Sequence, residues 1–344
     1  MRCGRTSNAT ASSTRGASAS PRSHAHPISQ PAPATPPGAA DRSAPAAHRR
    51  TPTRQQPPGG TTVRFVQRRD GDQVVPGIVD GDRVYDLAGV DQVDGALLAR
   101  SEEQLGELEA AALATEGRDL EGLDLAAPIA RPVKIVCIGL NYRDHAAETG
   151  AAIPEEPVIF MKDPSTITGP FDAVRIPRNS VKTDWEVELG VVIAREARYL
   201  ASPADAANVI GGYVLSHDVS EREFQLERGG QWDKGKSCET FNPLGPWVAT
   251  ADELGDVQAL RLRLSVNGVQ RQDGTTADQV FDVNHIVWYL SQFMVLQPGD
   301  LINTGTPAGV ALGIEGNPYL RDGDIVELSI DGLGTARQRF EDAS

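Results

Sequence analysis

The chain reads as an α+β protein rich in strands. Short runs dense in β-branched residues recur along it, as at 133–139 and 184–193. Hairpin-turn pairs punctuate them, Asp70-Gly71, Asp80-Gly81 and Asn267-Gly268, where glycine supplies the positive φ that the turn needs. Helical periodicity surfaces only in brief stretches, after Ser101 and around Ile286. The pattern is consistent with a strand-rich main domain preceded by a smaller one.

The elements follow in order. Residues 63–66 and 74–79 are short strands broken by Asp-Gly-Asp turns at 70–72 and 80–82. A third such triplet stands at 322–324; none is followed by the remaining ligands of a calcium-binding EF-hand, so all three read as turns. Ser101 and Gln104 have the form of a capping box, and Leu105, Leu108, Ala112 and Leu113 follow at helical spacing, with Gly117 expected to close the helix. Residues 62–127 hold no cluster of reactive side chains and read as scaffolding or dimer support.

The main domain, 131–344, opens with a buried strand at 133–139 that delivers the segment 141–148. Residues 158–161 form the next strand, ending at Lys162. Ser202-Pro203 is the cap-then-proline start of a helix that Gly211-Gly212 would end. Residues 261–266 and 269–272 pair across Asn267-Gly268. Ile286, Leu290 and Phe293 predict a helix of about four turns reaching Pro298-Gly299, on which His285 reads as structural rather than a ligand. A strand at 300–304 leads into the glycine-rich loop 305–310, which lacks the Lys-Ser/Thr of a phosphate-binding loop. Strands at 325–330 and 336–340 close the chain.

Of 344 residues, 33 are Lys or Arg and 47 are Asp or Glu, a net charge of −14. That balance argues against nucleic acid as the main partner, because phosphate binding needs a basic face. No apolar run approaches the ~20 residues that span a bilayer, so no membrane partnership is expected. Cys3, Cys137 and Cys238 offer neither a disulfide framework nor a zinc site, and a reducing cytoplasm fits best. Residues 1–60 differ from the rest, with eight arginines against the single acid Asp41, ten prolines and almost no large apolar residue. Such a segment cannot bury enough surface to offset its ordering entropy; it is expected to be a disordered tail, or a start placed too far upstream. Its prolines speak against the amphipathic helix of a transit peptide.

The chemistry concentrates around Glu186 and Glu188. On a strand they point to the same side, about 6 to 7 Å apart along it at ~3.3 Å per residue. As partly buried anions they would repel unless a cation lay between them, and a hard divalent metal with oxygen ligands is the economical solution. A solvated strand face is the plainer alternative for an isolated Glu-x-Glu. Its company is a second strand at 212–217 ending on Asp218, Lys236 in a glycine-flanked turn, and His145 with Glu148 at i and i+3 on a short helix. Cys238 as a nucleophile is disfavoured, since no histidine lies near it in sequence.

Laid out in order, six motifs resemble those of the fumarylacetoacetate hydrolase family over about residues 63–340. They are Gly-Leu-Asn-Tyr-x-x-His-x-x-Glu at 139–148, Phe-Met-Lys at 160–162, Asp-Trp-Glu-Val-Glu-Leu at 184–189, Gly-Tyr-x-x-x-x-Asp-x-Ser at 212–220, Gly-Lys-Ser at 235–237 and Thr-Gly-Thr-Pro-x-Gly-Val at 304–310. The resemblance implies a β-roll main domain with a small N-terminal α/β domain, and a homodimer. It implies Mg²⁺, or Mn²⁺ or Ca²⁺ in its place, held by Glu186, Glu188 and Asp218. His145 supported by Glu148 would be the general base on a mobile lid, Lys236 would stabilise negative charge, and Lys162, Gln272 and Thr306 would line the substrate site.

The implied reaction is hydrolysis of the C3–C4 bond of a 2,4-dioxo acid to pyruvate and a carboxylic acid. The segment 220–236 looks most like the branch acting on 2,4-diketo-3-deoxy sugar acids such as the fuconate and rhamnonate derivatives. Relatives with nearly the same site instead isomerise or decarboxylate 2-hydroxy-diene-dioates or are named ureidoglycolate lyases. An idle metal-binding protein on this scaffold is the reading from another class, and it would have no need of His145, Glu148 and Lys236 together. Asp163, Cys238 and Ala311 depart from the usual family residues, which touches substrate identity and removes no proposed ligand or base.

Overall fold

In the computed structural model, which describes residues 63–344, the strands form two large sheets and a two-stranded one that pairs Thr183–Asp184 with Ser220–Glu221. The tail expected over 1–60 lies outside the described residues. The larger sheet is centred on the strand Val187–Ile193, antiparallel to Ile210–His217 on one side and to Leu301–Asn303 on the other. Leu301–Asn303 runs parallel to Ile135–Gly139, which pairs with Val158–Lys162. In the other direction Ile210–His217 pairs with Asn242–Ala249, and that strand pairs with Arg64–Asp70. Gln73–Asp80 and Arg83–Asp86 follow, so the sheet runs without a break across the boundary drawn from sequence at 127–131. The smaller sheet orders Val269–Thr275, Arg261–Val266, Ile325–Ile330, Gly334–Asp342 and Val174–Ile176. Among the described residues, no helix is long and apolar enough to cross a membrane.

Alternation along the central strand decides where the core sits. Trp185, Val187, Leu189 and Val191 share one face and pack with Leu262, Leu264, Val326 and Leu328 of the smaller sheet. Val192 faces the other way and packs with Phe65, Val214, Val248 and Leu301. Burying such a side chain is worth about 1.5 to 3 kcal/mol, so a one-residue slip of this strand would exchange a filled core for buried carboxylates.

Three expectations are corrected. Ser202-Pro203 opens a single 3₁₀ stretch, Pro203–Asn208, and Gly211-Gly212 belong to the following strand rather than ending a helix. The glycine pair answers to close packing: a Cβ on Gly212 would sit 2.6 Å from the Ala249 carbonyl oxygen, and one on Gly211 would sit 2.8 Å from Ala194 and Leu98. The helix around Ile286 spans only Val283–Ser291; Phe293 lies beyond it and is exposed, because Leu296 is drawn into a reciprocal backbone bridge with Ala197. The capping box is present at Glu102–Leu113, with Gln104 N–H donating to Ser101 Oγ and Ser101 N–H to Gln104 Oε1, but that helix ends at Ala114 before Gly117.

A closed polar ring ties the three strands nearest the centre. Ser216 Oγ donates to Asn303 Oδ1 at 2.9 Å and accepts from Asn242 Nδ2 at 3.0 Å, while Asn303 Nδ2 donates to Asn242 Oδ1 at 2.9 Å. All three residues are fully buried. Removing one hydroxyl orphans an acceptor and a donor, at about 1 to 3 kcal/mol each. Ser216→Ala should therefore lower unfolding free energy by about 2 to 6 kcal/mol in urea titration; a loss below about 0.5 kcal/mol would show that the ring is dispensable.

Candidate active site

The register places three carboxylates together. Glu188 pairs with Ser216 and Val187 with His217, and the ladder continues as Asp218 N–H donates to the Glu186 carbonyl at 3.0 Å. Glu186, Glu188 and Asp218 therefore share one face, and one carboxylate oxygen from each lies within 4.8 Å of the others. All three are buried. His217 points to the opposite face, where Nδ1 meets Gln338 Oε1 at 3.1 Å, and burial pushes its pKa down to about 3.

Three cations answer these acids. Lys236 Nζ lies 2.7 Å from Glu186 Oε2 and 2.8 Å from Asp218 Oδ2. Lys162 Nζ donates to Asp218 Oδ1 and to the Val219 carbonyl. Arg222 bridges Asp184 Oδ2 at 2.8 Å and Glu186 Oε1 at 2.7 Å. Burial opposes ionisation of Glu186, yet Lys236 and Arg222 outweigh it and hold the carboxyl well below its ordinary range. Burial likewise opposes the charge on Lys236, and Asp218 and Glu186 overcome it, raising its pKa.

Glu188 is different: it accepts the Gly305 N–H at 2.8 Å and, among the described residues, is in no salt bridge. Burial, then Asp218 and Glu186, drive its pKa well above the usual carboxylate value. A hard divalent ion would find three oxygen donors here, one of them an acid without a direct cationic partner, so the residues fit Mg²⁺ or Mn²⁺.

The other expected residues divide between the cavity and its supports. His145 and Glu148 lie on the helix Arg143–Thr149, which Gly150 ends in the left-handed conformation. His145 Nδ1 is 3.4 Å from Glu148 Oε2, and Glu148 also accepts the Gly309 N–H at 2.9 and 3.1 Å, tying this helix to the 305–310 loop. His145, Lys236 and Thr306 line a cavity of about 190 Å³ together with Glu186 and Glu188. Lys236 sits in the short helix Asp233–Lys236 rather than in a turn.

Lys162 and Gln272 do not line it. Lys162 is buried behind Asp218 as its counter-ion. Gln272, fully buried, accepts the Val187 N–H and donates to Thr306 Oγ1 and the Pro307 carbonyl, bracing strand against loop. The Thr306 hydroxyl is itself engaged, accepting from Gln272 and donating to the Val187 carbonyl.

Arg222, Asp184 and Gln225 escaped the sequence reading. Asp184 accepts the Ala311 and Leu312 N–H groups and the Trp185 N–H besides Arg222, and Gln225 Oε1 accepts from Arg222. Arg222 follows Asp218 by four residues within an acidic stretch, where a buried arginine and a solvated one look alike.

Comparison with known proteins gives this arrangement a family. The model for the fumarylacetoacetate (FAA) hydrolase C-terminal domain matches residues 134–341. The chain belongs to the fumarylacetoacetate hydrolase family. A Burkholderia multivorans protein provisionally named a hydrolase is 49% identical over 269 residues, covering 77% of this chain and 94% of that protein. Among solved structures, 2-hydroxyhepta-2,4-diene-1,7-dioate isomerase from Mycobacterium marinum aligns with a TM-score of 0.67 at 32% identity, over 82% of this chain and 99% of its own. Maleylpyruvate hydrolase from Sphingobium sp. SYK-6, in complex with manganese(II) and pyruvate, aligns with a TM-score of 0.68 at 30% identity, over 82% and 100%. The family region contains the carboxylate triad, the His145–Glu148 pair and all three balancing cations.

Glu188 supplies a test of the metal site. Because its folded-state pKa is raised, it disfavours the metal-free fold as pH climbs above the unfolded-chain value near 4.3. Metal-free Glu188→Gln should melt above the parent at pH 7 to 8, with the difference closing below about pH 4. A divalent ion at a hundredfold its Kd should add about 2.7 kcal/mol to the parent and nothing to the variant. Equal cation stabilisation of both proteins in calorimetry would remove Glu188 from the ligand set.

Proposed function

We propose that the protein is a divalent-metal-dependent hydrolase that cleaves the C3–C4 bond of acylpyruvates, giving pyruvate and a carboxylic acid. The observation that carries this reading is one cavity lined both by glutamates of a buried acidic site and by a histidine whose Nδ1 faces Glu148 Oε2 at 3.4 Å. A metal site alone needs no general base beside it.

With Glu148 holding Nδ1, His145 has Nε2 left to take a proton from water, and the hydroxide formed attacks the C4 carbonyl. The bond from C4 to C3 breaks, C4 leaves as the acid, and its electron pair passes into the enolate of pyruvate. Protonation at C3 by the imidazolium completes the balance: one water consumed, one acid and one pyruvate released. A bound Mg²⁺ or Mn²⁺, held by Glu186, Glu188 and Asp218, supplies the Lewis acidity that such an enolate requires. Lys236 adds a fixed positive charge beside it, buried where electrostatic effects are strong. Arg222 and Lys162 orient Glu186 and Asp218 through their ion pairs.

A second reading, isomerisation or decarboxylation of a 2-hydroxy-diene-dioate, draws support from the likeness to the Mycobacterium marinum isomerase. It shares the enolate and the acidic site but has no use for a water-activating base.

His145→Ala should lower kcat for pyruvate release by about 10²- to 10⁴-fold while keeping the cation-dependent rise in melting temperature. Pyruvate release should stop on adding chelator and return with Mg²⁺ or Mn²⁺. No pyruvate from any 2,4-dioxo acid, with diene-dioates isomerised or losing CO₂, would promote the second reading.

A further inference from the structure

The cavity has two unlike ends. Its polar groups Glu186, Glu188, Arg222, Lys236 and His145 gather at the carboxylate site. From there an aromatic floor leads away: Lys236 Nζ lies 5.0 Å from the Phe160 ring centroid, and the Phe160 and Trp232 rings meet edge to face at 5.4 Å. Trp232 in turn covers Gly139, where a Cβ would stand 2.6 Å from its ring. Ile138, Leu140, Leu226 and Leu312 add apolar side chains to a lining that also holds Thr149, Gln225 and Thr306. Leu226 is 44% exposed, an apolar side chain held at the surface of a site rather than in the core. Leu140 holds a left-handed backbone, φ 53°, a conformation that non-glycine residues adopt at a cost.

We infer that this wall is an acyl-group subsite for an uncharged apolar chain, so that the acid released is a simple alkanoic acid rather than a dicarboxylic or polyhydroxy acid. The inference rests on the acylpyruvate reading for the reaction, and on the lining alone for the subsite. The lining cations are Lys236 and Arg222, and both are committed, the first to Glu186 and Asp218, the second to Asp184 and Glu186. A carboxylate held against this wall would leave water without a counter-ion, which costs far more than its chain would gain. A polyol tail fares little better: the Thr149 hydroxyl already donates to the His145 carbonyl at 2.9 Å, the Thr306 hydroxyl to the Val187 carbonyl, and Gln225 Oε1 accepts from Arg222, while Phe160, Trp232 and the leucines of the wall offer no polar partner but the indole N–H. That chemistry turns the sugar-acid branch suggested by segment 220–236 into a poor fit.

N-alkyl oxamates provide a probe that is not turned over, since they keep a carboxylate next to a carbonyl and carry a tail of chosen chemistry. Calorimetric titration of the Mn²⁺-loaded full chain should show affinity rising about threefold to fourfold per methylene from N-methyl to N-butyl oxamate. The ω-carboxylated and dihydroxylated butyl analogues should bind no tighter than N-methyl oxamate. Leu226→Lys, at an exposed position, should raise affinity for the ω-carboxylated analogue about tenfold relative to N-butyl oxamate. Equal or tighter binding of the charged or hydroxylated tails, or no change in Leu226→Lys, overturns the subsite. A parallel panel of acyl-, ω-carboxyacyl- and polyhydroxyacylpyruvates separates the two claims. Apolar preference in binding with no pyruvate from any member leaves the subsite standing and removes the hydrolase reading. Pyruvate release with flat or inverted tail preference does the reverse.

Discussion

Carboxylates taken out of water must be matched by positive charge, and the architecture of this protein follows from meeting that demand at one place. Stripping an ion of solvent carries an effective penalty of several kcal/mol even after relaxation. Glu186, Asp218 and Asp184 are matched by Lys236, Lys162 and Arg222, which come from a short helix, the end of a strand and the segment just past Asp218. Glu188 stands outside that balance, with a backbone N–H as its hydrogen-bond partner. The imbalance makes the site receptive to a further cation, and it sits where the E-x-E strand, its neighbour and the 305–310 loop converge.

Precision in such a site depends on what fixes the strands. The central strand is held on one face by a hydrophobic layer shared with the smaller sheet, and the ring of Ser216, Asn242 and Asn303 locks its neighbours by side-chain hydrogen bonds. Gln272 then ties Val187 to Thr306 and Pro307, so the loop carrying the cavity-lining Thr306 is referenced to the strand carrying the acids. Function sits on loops, and here those loops inherit their positions from a rigid sheet. Glu148 performs the corresponding task for the histidine helix: its contact with the Gly309 N–H joins His145 to the same loop. A Cβ at Gly309 would fall 2.0 Å from the Arg271 carbonyl oxygen, so no other residue fits that approach.

Features that depend on neighbours in sequence were legible in advance. The capping box at Ser101 and Gln104, the Asn267-Gly268 hairpin and the common face of Glu186 and Glu188 each follow from a few consecutive residues and a fixed period. Signals with two local meanings misled. Gly211-Gly212 resembled a helix stop, yet the glycines serve contacts with Ala249 and Leu98, residues far away in sequence. The apolar spacing through Phe293 resembled further helix, but a bridge to Ala197 turned the chain first.

By itself the sequence determined the family, the three acids, and the histidine–glutamate pair, because each is written as a short motif whose spacing is its geometry. Tertiary structure alone decided what surrounds them. Lys162 became a buried counter-ion and Gln272 a brace instead of lining residues, Arg222 proved to be held between Asp184 and Glu186, and the cavity acquired a charged end and an apolar one. The physical reason is common to all: burial and charge pairing are sums over residues brought together from distant parts of the chain, and local periodicity carries no record of which cation will meet which acid.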